Sequence, residues 1–242
     1  MRNILITGVS RGLGLEIVKS ILEEEDTVVY GISRSKSQGL VNLMDQYPFR
    51  LKWMSYDLND VDHVRARIFK DFIGIQTPIH GFVNNAAVAY DDIVTNLNYE
   101  PLLDMYKVNV FTPMFVTKYV IRHFLLHQVK GSIVHVSSIS VHTGYKGLAM
   151  YASSKGALEA FSKNTAREWG EKGIRSNILV AGFMETDMSA TLTEDQKNRI
   201  YKRTSMKTPT TTKSVAATIR FLLSDLSRSI TGQNVYVDSG TI

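Results

Sequence analysis

The chain of 242 residues contains no cysteine. That excludes disulfides, thiolate nucleophiles and zinc–thiolate sites, and it fits a reducing compartment. No apolar run reaches the length of a membrane span. No basic–apolar–small leader stands before the first strand-like residues, Met1 to Thr7. The default expectation is a cytoplasmic protein with no membrane partner. Repeats, low-complexity tracts and Pro/Gly linkers are also missing, as is any His/Asp/Glu cluster of the kind that binds metal. The six histidines read as surface or core residues, with only His142 near the expected pocket. Net charge is +5, but the basic residues are scattered and match no nucleic-acid motif. The balance reads as a slightly basic solvated surface, with a phosphate-bearing cofactor or an acidic carrier as the second reading.

What is present is a regular alternation. Hydrophobic residues make up 44% and charged residues 21%, which suits one globular domain over residues 1–242. Strand-like runs fall at Asn3 to Thr7, Thr27 to Ile32, Leu51 to Tyr56, Ile79 to Val83, Ile133 to Ser137, Ile174 to Val180 and Asn234 to Val237. Helical patterns fall at Leu13 to Leu22, Val61 to Ile73, Pro101 to His127, Ala152 to Lys172 and Lys213 to Leu223. Pro113 is expected to bend the third of these, and Gly173 to stop the fourth. Alternation of this kind predicts an α/β fold: a three-layer, doubly wound parallel sheet of Rossmann type with about seven strands. Residues 183–212 lack a strand, and a substrate lid is expected there. A plain surface helix–loop is the competing reading.

Two motifs carry chemistry. Thr7-Gly8-Val9-Ser10-Arg11-Gly12-Leu13-Gly14 joins the first strand to the first helix. Glycine there permits a tight turn and close backbone approach to a pyrophosphate, which the helix N-terminus attracts. Ser33-Arg34 follows the second strand, and no acid occurs from Gly31 to Lys36. With Arg11, this favours a 2′-phosphate, hence NADP(H) over NAD. A solvated loop charge is the alternative for Arg34. The second motif is Tyr151-Ala-Ser-Ser-Lys155, with its outer residues on one helix face. An ammonium near a phenol lowers its pKa and makes it a proton donor and acceptor. Such spacing is common by chance, but Ser137-Ser138 end the preceding strand and Asn109 sits inside the long helix.

Together these residues resemble the short-chain dehydrogenase/reductase family, over essentially the whole chain. The TGxxxGxG motif is matched by Thr7 to Gly14, and the adenine-holding Asp-apolar pair by Asp57-Leu58. The NNAG motif is matched by Asn84-Asn85-Ala86-Ala87, with Ala87 replacing glycine and narrowing the space beside the cofactor. The resemblance implies Asn109, Ser138, Tyr151 and Lys155 as catalytic residues; Ser138 is selected over Ser137 because it lies thirteen positions before the tyrosine. It implies cofactor contacts from Gly8, Ser10, Arg11, Gly12, Leu13, Gly14, Ser33, Arg34, Asp57, Leu58, Asn84, Ala86, Tyr151, Lys155, Gly182 and Thr186, and no metal. Ala181-Gly182 stands where relatives have Pro-Gly, which is expected to loosen that turn.

The implied reaction interconverts a ketone and a secondary alcohol by hydride transfer. Tyr151 exchanges the proton, Lys155 lowers its pKa and bonds the nicotinamide ribose, Ser138 polarises the carbonyl, and Asn109 holds a water. Among relatives the chain looks most like 3-oxoacyl-(acyl-carrier-protein) reductases of fatty acid biosynthesis. Lys130 and Lys172 then fall where a carrier would dock, although lysines at helix ends are also ordinary capping choices. Phe183, Met184, Met188 and Met206 could meet an acyl chain or simply pack. The alternatives are a reductase of free small, steroid-like or sugar-derived ketones, and a non-catalytic NADP-binding regulator. The resemblance also implies a homotetramer or homodimer packed through Pro101 to His127 and Ala152 to Lys172.

Overall fold

The computed structural model describes residues 1–186 and 193–242. Among them, β1 (Arg2–Thr7), β2 (Thr27–Ser33), β3 (Leu51–Ser55), β4 (Gly81–Asn84), β5 (Ser132–Ser138), β6 (Arg175–Ala181) and β7 (Asn234–Val237) form one sheet. Its order is β3-β2-β1-β4-β5-β6-β7, and every pairing is parallel. Strands covered on both faces must be apolar throughout, which is why runs such as Ile4, Leu5 and Ile6 show no polar alternation. All three of these residues are buried.

The helices are α1 (Gly12–Leu22), α2 (Gln38–Gln46), α3 (Tyr99–Tyr106), α4 (Thr112–Leu126), α5 (Ser140–Thr143), α6 (Ala149–Trp169), α7 (Glu194–Tyr201) and α8 (Thr212–Leu223). One face of the sheet packs Ile4, Ile6, Val83 and Val134 against Ile17 and Ile21 of α1 and Val215 and Ile219 of α8. On the other, Leu5, Phe82 and Ile133 meet Val116, Val120 and Phe124 of α4. There Leu158 of α6 also joins Ile178 and Val180 of β6. This is the three-layer arrangement expected from the alternation.

The departures are local. Helix α2 was not evident from the pattern, because only Leu40 and Leu43 of its residues are buried. It starts where Ser37 Oγ accepts the Leu40 N–H at 3.1 Å. The helix expected over Val61 to Ile73 is wound with i→i+5 bonds across Arg65–Phe72, as in Ile73 N–H to the Ile68 carbonyl at 3.0 Å. The long helix is α3 and α4 joined by a widened turn, Lys107–Phe111. Pro113 disturbs the turn before itself: it has no N–H for the Asn109 carbonyl, and its ring crowds that carbonyl. Gly173 ends the α6 segment in the left-handed region, at φ 74°.

The strand order reverses direction between β1 and β4. In a parallel sheet this leaves a crevice at the carboxyl ends of those strands. The glycine turn after Thr7 and the Asn85-Ala86 segment after Asn84 flank it.

Candidate active site

A cavity of about 1010 Å³ opens along this carboxyl edge. The glycine turn forms its floor. Gly8 lies at φ 76°, and a Cβ there would sit 2.8 Å from Ala86 Cα. A Cβ on Gly14 would collide with the Gly8 carbonyl. Both glycines are therefore needed for the turn to close on itself and on β4. Asn85 ties the two segments, donating from Nδ2 to the Thr7 and Gly8 carbonyls at 3.1 Å each. The N-cap residue of α1, Arg11, makes no side-chain cap, and the first turn holds no acid. The helix start thus presents N–H groups and positive dipole to the cavity, a fit for an anionic pyrophosphate.

At the β2–β3 end, Ser33, Arg34, Ser35, Lys36 and Ser37 line the cavity, with Asp57 and Leu58 opposite. The loop is stiffly held. Trp53 Nε1 donates to Ser33 Oγ at 2.8 Å, Ser33 Oγ donates to the Ser35 carbonyl at 2.9 Å, and Ser37 Oγ donates to the Ser10 carbonyl. Lys36 Nζ rests over the Trp53 ring, 4.7 Å from its centroid. Arg11, Arg34 and Lys36 make this end cationic, which suits a phosphate on the adenosine ribose. Lys36 was missed by the sequence reading, although its place two residues after Arg34 was signal enough.

Toward β5, the wall carries Ser138, Tyr151 and Lys155. Lys155 is 2% exposed, and its Nζ donates to the Val136 carbonyl at 2.9 Å. Burial pulls its pKa from 10.5 to about 8. The Tyr151 ring lies 5.7 Å from that Nζ, centroid to nitrogen. Burial, and then the charge of Asp91, push the phenol up to about 12. The expected lowering by Lys155 is thus reversed in the free protein: the ammonium bonds a backbone carbonyl, and desolvation dominates. Desolvation also raises the Asp91 pKa.

The two serines separate cleanly. Ser137 Oγ donates to Glu159 at 2.6 Å. Ser138 Oγ accepts the Ser140 N–H at 3.2 Å and, among the described residues, gives its own proton to no acceptor. Asn109 stands behind the wall, fully buried. Its Oδ1 accepts the Val88 N–H at 2.9 Å, and its Nδ2 donates to the Val88 carbonyl at 2.8 Å and to Ser154 Oγ at 3.0 Å. Both hydrogens of its amide are thus used, while Oδ1 accepts a single bond.

Of the remaining expected residues, Gly182 and Thr186 line the cavity after β6, with Thr186 next to Gly12 across the cleft. The turn at Ala181-Gly182 is not loose. The Ala181 carbonyl accepts the Ile139 N–H at 3.0 Å, and Gly182 N–H donates to the Val237 carbonyl at 2.9 Å. A Cβ on Gly182 would strike Asp238 and Thr210. Asn84 departs from expectation. It is 1% exposed and turned inward, with Thr7 Oγ1 3.4 Å from its Oδ1, so Asn85 takes its place on the wall.

Phe183 and Met184 line the cavity, whereas Met206 is 69% exposed and does not. Met188 lies outside the described residues. Lys130 and Lys172 precede β5 and β6, so they sit at the amino edge of the sheet, opposite the cavity. That follows from parallel topology, in which every helix-to-strand connection lies on that side. The cavity instead gains Asp91, Tyr145, Lys146, Ile200 and Arg203. Apart from Ile200 at the end of α7, these lie on loops, and no local pattern announces their convergence.

Among the described residues, no group of three or more His, Asp or Glu could hold a metal. Nor is any helix there long and apolar enough to cross a membrane.

Known proteins share this sequence and shape. A family model described as enoyl-(acyl carrier protein) reductase matches residues 8–241. The 3-oxoacyl-(acyl-carrier-protein) reductase FabG of Chlamydia pneumoniae is 30% identical, covering 99% of this chain and 96% of its own. Carbonyl reductase (NADPH) 2 of Sus scrofa is 32% identical, covering 98% and 94%. A 4-hydroxyisoleucine dehydrogenase solved with NADH superposes with a TM-score of 0.92 at 24% identity, covering 100% of this chain and 98% of that one.

Proposed function

The chain belongs to the short-chain dehydrogenase/reductase family of oxidoreductases, and on that premise we propose that it interconverts a ketone and a secondary alcohol with NADP(H). The observation that carries this reading is the meeting of the glycine turn with Ser138, Tyr151 and Lys155 in one cavity. Gly8, Ser10, Arg11, Gly12, Leu13 and Gly14 would hold the pyrophosphate side of the cofactor, and Asp57, Leu58 and Ala86 its adenosine side. Gly182 and Thr186 would meet the nicotinamide end. Arg11, Ser33 and Arg34, joined by Lys36, favour the 2′-phosphate. The cofactor supplies the hydride.

This chain's own residues handle the proton. With a pKa near 12, Tyr151 carries its proton at neutral pH and can give it to an alkoxide oxygen. Ser138 keeps its hydroxyl hydrogen for the substrate carbonyl, which it orients and polarises. Lys155 spends one N–H on Val136 and has two left, for a ribose hydroxyl and for a water. That water would sit on the Asn109 backbone carbonyl, to which Pro113 offers no N–H. We read residues 183–212, of which 187–192 lie outside the described residues, as a lid within the single domain. Its exit is pinned by Ser205 and Met206 N–H groups, which donate to the Gly240 and Ser239 carbonyls at 2.8 and 3.1 Å.

The leading substrate class is a 3-oxoacyl thioester on a carrier protein, supported by the full-length relatives of that name. Carbonyl and L-xylulose reductases of similar identity support a free ketone as the second reading. A homotetramer or homodimer through the α3–α4 and α6 faces is supported by exposed Phe111 and Phe115. The deciding experiment follows NADPH absorbance over a panel of carrier-linked and free ketones, with Tyr151→Phe in parallel. Loss of about 10²–10⁴-fold in kcat with NADPH binding retained is expected. Full turnover by Tyr151→Phe would remove the proposal.

A further inference from the structure

The substrate end of the cavity holds two cations that the proton chemistry does not use. Lys146 comes from the loop after α5, between Gly144 and Gly147, and Arg203 follows α7 at the edge of the lid. Both line the cavity and both are exposed. Tyr145 brings their segments together. Its ring packs against Ile139, Leu158, Ile178 and Val180, and the Arg203 guanidinium lies over it, 5.8 Å from the centroid. Among the described residues neither cation is in an ion pair. Among the described residues, two carboxylates line the cavity. Asp57 is at the opposite, β3 end, and Asp91 bears on Tyr151.

The charges therefore have a direction: an acid beside the proton donor and two cations at the mouth. We propose that Lys146 and Arg203 form an anion subsite, so that the carbonyl compound reduced here carries a negative group beyond its reacting carbon. This rests on the reductase reading above and narrows its substrate class. An anion at the mouth gains charge-assisted hydrogen bonds from a fork and an ammonium. Asp91 repels the same group, so the molecule enters with its carbonyl toward Ser138 and Tyr151. A carboxylate on a small oxo acid and the phosphodiester of a pantetheine arm share this chemistry.

The test compares matched pairs on the enzyme with NADPH: a 3-oxo acid against its amide, and a 3-oxoacyl pantetheine against its 4′-phosphopantetheine form. In the pair that contains the true anion, the charged member should have the higher kcat/KM. Lys146→Gln with Arg203→Gln should cut that preference about tenfold or more, mostly through KM. High salt should do the same. Preference in the first pair identifies a carboxylate, and in the second the phosphate of a pantetheine arm. No preference in either pair, or a preference that survives the double variant, overturns the subsite. Binding is read separately, as the thermal shift given to the holoenzyme by the acid with its carbonyl reduced to methylene, against the corresponding amide. If no ketone is turned over but the acid binds through these two residues, the subsite stands and the reductase reading falls. If neutral ketones are reduced and no anion is preferred, the reverse holds.

Discussion

The Lys155 ammonium lies 5.7 Å from the centre of the Tyr151 ring, yet its hydrogen bond goes to the Val136 carbonyl. A buried cation held this way is costly. Its pKa near 8 in the fold, against 10.5 for an ordinary lysine, means that the unfolded chain binds the extra proton between those values. Stability should then rise with pH from about 8 to 10.5, by up to about 1.4 kcal/mol per unit from this group. Lys155→Met should melt higher than the native protein at pH 7, and the gain should shrink above pH 8. Thermal denaturation across pH checks this. A variant that melts lower at every pH would show that Lys155 is not strained in the fold.

His135 presents the acid-side counterpart. It is fully buried between Phe82 and Phe161, and neither ring nitrogen has a partner. Burial, then the charge of Lys155, push its pKa down to about 3. The neutral ring's contribution is intact above pH 6.5 and falls away between pH 6.5 and about 3 as the unfolded chain takes up the proton. His135→Leu should flatten that decline and raise stability near neutrality by about 1 kcal/mol. Urea titrations at pH 7 and pH 5 would show it; equal losses on acidification in both proteins would refute it.

The cofactor choice rests on the cationic loop after β2. Arg34→Asp with Lys36→Ser should lower the kcat/KM ratio of NADPH to NADH by about 10–100-fold. The change should lie in the KM for NADPH. An unchanged ratio would assign the two cations to solvent.

Pro113 is open to a cleaner experiment than Asn109. Pro113→Ala restores an N–H at the position that would serve the Asn109 carbonyl in a regular helix. The variant should be at least as stable as the native protein and should lose kcat with little change in KM. Asn109→Ala should instead unfold more easily, because the Val88 N–H and carbonyl and Ser154 lose their partner. Unaltered kcat in Pro113→Ala would show that this carbonyl takes no part.

Some of this was legible in the residues and some was not. The sheet was, because strands buried on both faces leave apolar runs and the helices between them leave a 3.6-residue period. Ser138, Tyr151 and the glycine turn were legible because each lies on a regular element with fixed spacing. Asn84 was misplaced because adjacent residues at a strand end face opposite ways, and the pattern does not say which is outward. Asp91, Lys146 and Arg203 were invisible: they lie on three loops far apart in sequence, and only the folded chain brings them to one cavity. The direction of the Tyr151 shift was hidden for a related reason. Spacing shows that a lysine is near, but not that burial and Asp91 outweigh it.

The position of Lys130 and Lys172 at the amino edge of the sheet has a consequence for assembly. One rigid carrier protein cannot rest on them and also deliver its cargo to the cavity of the same chain, because the sheet stands between. A carrier that uses both must bridge two copies, with the lysines of one subunit beside the cavity of its neighbour. Turnover of carrier-linked substrate would then fall on dilution below the dissociation constant of the oligomer. Turnover of small free ketones, which need only one cavity, would not share that dependence.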